Sequence, residues 1–480
     1  MIERRNSVGR AAGWSTAGAL IRMALNFIGM VILARLVAPE EFGVFAVASS
    51  LVLLVAYLAE IGSSWALVQR AEVRPDHAGS ALIFAGGCAL AAGAGLVLFS
   101  GVIADLMNMP SLQGALMFMA LVIPIQAASG VPRALLKRDL AFDRLVRVDL
   151  AAAIAGLAAG LAHAWYNPSV ISLLTQAIIY QVALALGLWS RRARQAIGHP
   201  SLRAFRELLS FAGGQTLYEF LMLLAKNLDT FLIARLVGAA PLGLYSRAFA
   251  LMFTPLGQVY TAVGSVAFSA MSRNQHDRIA LRRIHVRFFT GSLLGIAIPL
   301  AVFSAFSTDF VVVILGSEWK GSGPVLGVLA IAAALQVLYA NMVWVLQATA
   351  RLRAQLMSGA LLAAGNVFGF ILAAFSRDLT HFAIAYIFGI VLALIYVIRP
   401  VVLMLGAPLV WYLCAILFMG LATLLGKAAH AALEQLFENP LERLIGFVLT
   451  TATIAAFSLV LFRSRVRDLV NVAKVGEGQE

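Results

Sequence analysis

Long apolar blocks alternate with short polar segments along the whole chain. Most of the blocks run for roughly 18–25 residues, the length that an α-helix needs to cross a hydrocarbon core about 30 Å thick. This pattern predicts an all-α polytopic membrane protein with about 14 transmembrane helices. The predicted spans are, in chain order, 13–36, 43–66, 81–104, 112–132, 148–165, 170–190, 213–236, 243–271, 288–312, 324–349, 356–375, 380–398, 409–426 and 443–462.

The composition excludes a soluble multidomain enzyme. Of the 480 residues, 61% are hydrophobic and 12% are charged, whereas soluble domains are about 45–50% apolar and about 25% charged. The longest predicted outer segment, 427–442, is too short for a catalytic domain, because domains below about 40 residues rarely fold alone. No Walker-type phosphate loop, metal-ligand spacing or paired-carboxylate site is evident in the sequence. We therefore predict that the chain is not an enzyme and has no metal or cofactor site.

The positions of the positive charges predict the membrane orientation. The chain carries 36 Lys and Arg residues against 23 Asp and Glu residues, a formal net charge of +13. If the N-terminus is cytoplasmic, 27 of the 36 lie in inside segments, four in outside segments and five within or at the edge of spans. Cytoplasmic loops are enriched in Lys and Arg, so both termini are predicted to be cytoplasmic. The membrane orientation accounts for most of the excess charge, and no binding to nucleic acid is expected.

An internal repeat divides the chain. Residues 32–45 read ILARLVAPEEFGVF and residues 232–245 read LIARLVGAAPLGLY, an offset of 200 positions. Each copy ends one span and begins the next, which predicts two parallel repeats of six helices related by an axis along the membrane normal. The predicted domains are an N-terminal six-helix lobe at 1–190, an amphipathic cytoplasmic linker at 191–212, a C-terminal six-helix lobe at 213–400, helices 13 and 14 at 401–463 and a basic cytoplasmic tail at 464–480.

Ionisable side chains inside predicted spans are candidates for function, because each is costly in a membrane unless it faces a cavity or a partner. Arg22 lies roughly 13 Å from the inner end of the first span, at 1.5 Å per residue, and Glu60 lies at a similar depth in the second span. In the functional interpretation, Arg22 attracts an anionic head group and Glu60 is its proton-titrating partner. In the structural interpretation, the two side chains form an ion pair between adjacent helices.

The seventh and eighth predicted spans carry four more candidates. Glu219, Lys226 and Asp229 lie in the seventh span, and Arg247 lies near the outer end of the eighth. Because Asp229 follows Lys226 by three residues, both occupy one helical face. In the functional interpretation, Lys226 and Arg247 are substrate-binding cations, with Asp229 and Glu219 as counter-ions or ion-coupling groups. The alternative is a Lys226–Asp229–Arg247 network that fixes the helical hairpin.

Two segments of the sequence resemble a known family. Trp14 and Arg22, followed by ILARLVAPEEFG at 32–43, resemble the opening of Wzx-type polysaccharide flippases. The segment NLDTFLIARLVGAAPLGLYSRA at 227–248 is similar to the signature of their colanic-acid-exporter-like and succinoglycan-exporter-like branch. The similarity runs along nearly the whole chain.

The resemblance implies membership of the multidrug/oligosaccharidyl-lipid/polysaccharide exporter superfamily. It implies flipping of undecaprenyl-diphosphate-linked oligosaccharide across the bacterial inner membrane, for exopolysaccharide or lipopolysaccharide assembly. Alternating access coupled to a proton or sodium gradient would drive the flipping, without another cofactor. The implied partners are the lipid-linked oligosaccharide and the bilayer, together with a polysaccharide polymerase, a chain-length regulator and glycosyltransferases.

Three other functions are weighed against this one. A peptidoglycan-precursor flippase would share the fold, although the ILARLV-type segments argue against it. A multidrug–cation antiporter would need acidic residues deep in a lobe, and here the intramembrane cations match or outnumber the anions. A membrane glycosyltransferase or polymerase is disfavoured, because the chain has no sizeable extramembrane segment.

Overall fold

The computed structural model describes residues 2–60, 74–139, 141–189, 197–201, 203–204, 207 and 220–475, without the side chains of 2–13, 15–16, 60 and 458–475. All its regular elements within these ranges are helical. The α-helices are α1 (Ile2–Leu36), α2 (Pro39–Glu60), α3 (Pro75–Leu98), α4 (Ser100–Met107), α5 (Pro110–Ala120), α6 (Val122–Arg138), α7 (Phe142–Tyr166), α8 (Val170–Leu188), α9 (Leu228–Leu236), α10 (Ala239–Arg273), α11 (Arg278–Ser292), α12 (Ile298–Leu315), α13 (Ser322–Ala348), α14 (Leu352–Ser376), α15 (Leu379–Leu405), α16 (Leu409–Leu436) and α17 (Pro440–Val475).

The predicted all-α membrane architecture is confirmed. Among the described residues, 13 helical segments are long and apolar enough to cross a membrane, and each coincides with one of the predicted spans. The predicted span at 213–236 begins outside the described residues. Its described part includes α9. The last helix, α17, continues through residue 475, so the described part of the predicted basic tail extends a helix.

The chain forms two compact units, Met1–Ser246 and Arg247–Glu480. The first contains α1 to α9 and the beginning of α10, and the second contains the remainder of α10 and α11 to α17. Most of the predicted linker at 191–212 lies outside the described residues, so the predicted domain boundaries stay predictions. The described linker residues join the first unit: the backbone N–H of Gly198 donates to Pro75 at 2.8 Å, and that of Ser201 donates to Ser80 Oγ at 2.9 Å.

The two copies of the repeat contact each other within the first unit. A Cβ on Gly43 would collide with the carbonyl oxygen of Ala239, and a Cβ on Gly243 would collide with that of Pro39. Both pairs are related by the offset of 200: the contact from position 43 to 239 is matched by the contact from 243 to 39. A two-fold relation between like elements requires this reciprocity. The beginnings of α2 and α10 therefore cross at glycine, as parallel repeats would place them.

Close helix packing also organises the three helices α1, α7 and α8. A Cβ on Gly156 of α7 would lie 2.7 Å from the carbonyl oxygen of Gln176 and 2.8 Å from Cβ of Tyr180. Only glycine leaves room for α8 at this distance. The approach of the two backbones brings the middle of α8 against α7, and α1 also packs against α7.

In the second unit, α13 is the central helix, and 83% of the residues in its 18-residue apolar stretch are buried. It packs against α12 and α15, and α12 packs in turn against α16 and α17. A π-helical turn at Leu293–Ala297 joins α11 to α12 just before Pro299. Proline has no N–H to donate and its ring clashes with the carbonyl four residues earlier. Since that carbonyl belongs to Gly295 inside the π turn, the wider turn accommodates the proline.

Candidate functional site

A closed group of three polar side chains lies among the membrane-spanning helices of the first unit. Arg22 of α1 pairs through Nη1 with both carboxylate oxygens of Asp149 on α7. Its Nη2 donates to the hydroxyl oxygen of Tyr180 on α8 at 2.8 Å, and this hydroxyl donates to Asp149 Oδ1 at 2.9 Å. Arg22 Cζ also lies 5.0 Å from the centre of the Tyr180 ring. Three helices therefore contribute one side chain each, and each side chain contacts the other two.

All three groups lie within helical segments that are long and apolar enough to cross a membrane. Arg22 lies well inside the first apolar span, which begins at Ala17. Because α7 begins at Phe142, Asp149 lies about 10 Å along this helix at 1.5 Å per residue. The close α7–α8 approach at Gly156 carries Tyr180 to the same place.

The three-residue group is electrically neutral, and its charged side chains remain partly exposed. The guanidinium and the carboxylate cancel each other's charge, which lowers the cost of holding either within a membrane. The Arg22 side chain nevertheless remains 37% exposed and that of Asp149 19% exposed. A guanidinium has five N–H donors, so an external anion can compete with Asp149 for Arg22. Planar donors of this kind bind phosphate oxygens in pairs.

Sequence reasoning identified Arg22 and missed both of its partners. The predicted partner, Glu60, ends α2, and its side chain lies outside the described residues. Asp149 went unnoticed because the apolar pattern places the fifth span at 148–165, which puts this carboxylate at the membrane edge. The helix in fact begins at Phe142 and includes the polar residues before the apolar stretch.

The candidates around the seventh span are distributed differently. Asp229 in the first turn of α9 is 3% exposed and accepts hydrogen bonds from the Thr230 backbone N–H at 2.7 Å and from the Tyr245 hydroxyl at 2.9 Å. Lys226 is exposed and forms no ion pair with the described residues. The structure thus brings Asp229 together with Tyr245 of the repeat segment, and the predicted pairing with Lys226 is not formed.

The two other candidates of this group stay predictions. Arg247 lies in α10 as the first residue of the second unit and is half-buried. Glu219 lies outside the described residues. Within the described ranges, no three His, Cys, Asp or Glu side chains come close enough together to hold a metal ion.

The sequence is similar to two proteins that are named for polysaccharide biosynthesis. It is 24% identical over 330 residues to "Lipopolysaccharide biosynthesis protein WzxC" of Escherichia coli strain K12, covering 68% of this chain. It is 30% identical over 338 residues to "Succinoglycan biosynthesis transport protein ExoT" of Rhizobium meliloti strain 1021, again over 68% of this chain. Each alignment spans 66% of the relative, just under two thirds of its length.

Solved structures show the same fold. A lipid II flippase, MurJ, in an inward closed conformation superposes with a TM-score of 0.72 at 13% identity, over 94% of this chain and 99% of that one. An inward-facing multidrug resistance transporter of the MATE family superposes with a TM-score of 0.59 at 13% identity, over 80% of this chain and 95% of that one. At these identities the likeness concerns the fold alone: this protein has the same helical architecture as these two structures.

A model of the family described as "Polysaccharide biosynthesis protein" matches residues 32–324. The match begins at the first copy of the repeat motif, includes the second, and covers more than half of the chain. This protein therefore belongs to that polysaccharide biosynthesis family, as the two ILARLV-type segments indicated.

Proposed function

We propose that this protein flips undecaprenyl-diphosphate-linked oligosaccharide from the cytoplasmic to the outer leaflet of the bacterial inner membrane. The product would serve exopolysaccharide or lipopolysaccharide assembly. The observation that carries the proposal is the partly exposed Arg22, held among spanning helices by Asp149 and Tyr180. Family membership and the names of the relatives WzxC and ExoT support the class of substrate.

The Arg22–Asp149 pair suits a diphosphate ligand. A diphosphate has more negative charge and more acceptor oxygens than one carboxylate, so it competes well for a guanidinium. When the diphosphate takes Arg22, Asp149 loses its cation and takes up a proton or a sodium ion. Release of the substrate then restores the pair. In this scheme Asp149, which the sequence did not single out, is the ion-coupling carboxylate.

The remaining candidates receive subordinate roles. Lys226, exposed in the described structure, and Arg247 are further cations for the diphosphate or for acidic sugars. Asp229 holds Tyr245 at the crossing of the repeat segments, and Glu60 and Glu219 are additional carboxylates for ion coupling. With both termini in the cytoplasm, Arg22 lies in the inner half of the membrane, near the leaflet from which the substrate is loaded. A polymerase, a chain-length regulator and glycosyltransferases would act beside the flippase.

The test uses a strain in which the chromosomal gene is deleted and any paralogue is also removed. Undecaprenyl-linked glycan is labelled with a membrane-impermeant glycan reagent that reaches the outer leaflet only, and exported polymer is measured in parallel. We expect intact linked glycan to accumulate on the inner leaflet, with little label and little polymer. Normal labelling and a normal amount of polymer would overturn the proposal. Drug efflux by a multidrug–cation antiporter would then be the function to test.

The wild-type gene must restore labelling, and Arg22→Ala must restore little of it at an equal protein level. This pair of results would separate a loss of flipping from a loss of the enzymes that synthesise the glycan.

A further inference from the structure

The second unit contains a cavity of about 400 Å³, with polar and apolar walls, that the proposed flipping mechanism does not use. Three helices line it, each with one face. The α12 residues Ser304, Ser307 and Thr308 are polar, and α16 contributes Lys427 and His430. One apolar face of α13, at positions 324, 327, 328 and 331, closes the third side. A volume of 300–1,000 Å³ with a few convergent polar groups is typical of small-ligand sites.

A buried carboxylate fixes the polar wall of the cavity. Asp309 of α12 accepts a hydrogen bond from His430 Nε2 at 2.7 Å and pairs with Arg443 of α17 at 3.3 Å. Its side chain is only 7% exposed. This contact joins α12, α16 and α17 and fixes the orientation of the His430 ring. With Nε2 engaged, Nδ1 is the ring nitrogen that remains for a ligand, since it has no hydrogen-bond partner in the described part of the chain.

Lys427 gives the cavity its charge. It is exposed, forms no ion pair with the described residues, and is the only formally charged residue among those that line the cavity. The Thr308 hydroxyl makes no hydrogen bond to a described residue, so it can donate to a ligand. An ammonium and a hydroxyl favour an oxyanion.

The other polar atoms favour hydroxyl groups on the same ligand. The Ser304 hydroxyl donates to the Ala301 carbonyl at 2.7 Å and the Ser307 hydroxyl donates to the Gly323 carbonyl at 2.9 Å. Their protons are therefore occupied, and their oxygens remain as acceptors. Together with His430 Nδ1, they present acceptors beside the oxyanion donors.

We propose that this cavity binds a phosphate or carboxylate group that carries neighbouring hydroxyls, as in a glycerol-phosphate head group or an acidic sugar. Lys427 and Thr308 would bind the oxyanion, and His430 and the serine oxygens would accept the hydroxyl protons. Under the orientation predicted from the charges, this end of α16 lies at the outer face of the membrane. The site lies within the second unit, and the proposal does not depend on flipping.

The test measures protection of Lys427 from an impermeant amine-acetylating reagent, read by mass spectrometry. The full-length protein is placed in nanodiscs of phosphatidylcholine alone, or with phosphatidylglycerol in the bilayer, or with glycerol 3-phosphate or glucuronate in solution. Lys320, also exposed and not part of the cavity lining, is the internal control. We expect acetylation of Lys427 to slow at least about threefold in one of the three anionic conditions, as occupancy of about two thirds of the sites requires, with Lys320 unchanged.

The condition that protects identifies the source. Protection by phosphatidylglycerol alone assigns a lipid head group, and protection by a soluble compound assigns a free phosphate or a sugar acid. Absence of protection in all three conditions, or equal protection of Lys320, overturns the proposal.

Two variants guard against an indirect effect. In Val328→Phe, a larger side chain on the α13 wall fills the cavity, and we expect Lys427 to become reactive again. In Lys427→Gln, an exposed charge is removed, and the protecting compound should no longer raise the melting temperature, although it still does so for Lys320→Gln. Protection that persists in Val328→Phe, or a stabilisation that persists in Lys427→Gln, contradicts a ligand in this cavity.

Discussion

Two groups in this molecule place an arginine and a ring-bearing side chain around one aspartate. In the first unit, Arg22 and Tyr180 meet Asp149, and the arginine side chain is 37% exposed. In the second unit, Arg443 and His430 meet Asp309, and the arginine side chain is only 13% exposed. The two groups contain similar side chains, but an outside anion can reach Arg22 more easily than Arg443.

From this difference in access we predict a binding role for the first group and a structural role for the second. A buried ion pair resists competition, and removing one partner leaves an uncompensated charge. A partly exposed pair has a smaller effect on stability and leaves donors that a ligand can reach. We therefore expect changes around Asp149 to alter transport and changes around Asp309 to alter stability.

Arg22→Ala should have the largest effect on transport. The variant removes the fork of donors that we propose for the diphosphate, and we expect export to fall at least about tenfold, a loss of roughly 1.4 kcal/mol or more of transition-state stabilisation. Polymer yield and outer-leaflet labelling are measured at a matched level of membrane-inserted protein. Arg22→Lys keeps the charge without the planar fork, so it should fall between Ala and wild type. Normal export by Arg22→Ala would remove the basis for the distinction between the two groups.

Asp309→Asn should have the largest effect on stability. The amide cannot neutralise Arg443, which among the described residues keeps only Glu434 as a carboxylate partner, at 3.4 Å and with a side chain that is 61% exposed. We therefore expect a loss of about 3 kcal/mol in the free energy of unfolding, the lower end of the range for a broken buried pair. The measurement is the melting temperature of the purified protein in detergent, with Asp149→Asn as the matched variant. If the two asparagine variants lowered the melting temperature equally, burial would not distinguish the two groups.

Asp149→Asn should alter the energy dependence of transport. The amide can still hydrogen-bond to Tyr180, but it cannot exchange a proton or a sodium ion with the medium. We expect turnover to fall about three- to tenfold, because the anionic substrate is no longer displaced from Arg22 by a carboxylate. The residual export should lose its sensitivity to a protonophore and to removal of sodium. Residual export that keeps the full sensitivity of wild type would assign ion coupling to another carboxylate.

The linear pattern predicted the helices and the repeat better than it predicted the side-chain pairs. Apolar length alone placed the spans, and the offset of 200 predicted the repeat, whose two copies make reciprocal contacts at Gly43 and Gly243. The partners of Arg22 and Asp309 lie 127 and 121 or more residues away along the chain. Such pairs depend on the rotation of each helix about its axis, which an almost uniformly apolar sequence leaves open.

The ends of the helices were the other weakness of the sequence reading. The predicted outer segment at 427–442 is mostly helix, because α16 continues to Leu436. Its polar residues Lys427 and His430 therefore stand one turn apart on a helix that lines a cavity, whereas the sequence suggested a loop. Apolar runs mark the part of a helix inside the hydrocarbon and not the part that projects beyond it.

Tyr180→Phe should give the smallest effect and the sharpest test of how the first group works. The ring and its packing against Gly156 remain, and only the hydroxyl that joins Arg22 to Asp149 is lost. One hydrogen bond of this kind contributes about 0.5–1.5 kcal/mol net. Because the direct Arg22–Asp149 pair persists, we expect export to fall only about two- to fivefold, with the dependence on the ion gradient retained. Export and its protonophore sensitivity are measured as for Asp149→Asn. A loss of gradient dependence in Tyr180→Phe would mean that the hydroxyl itself carries the coupled proton, and it would move that role from the carboxylate to the tyrosine.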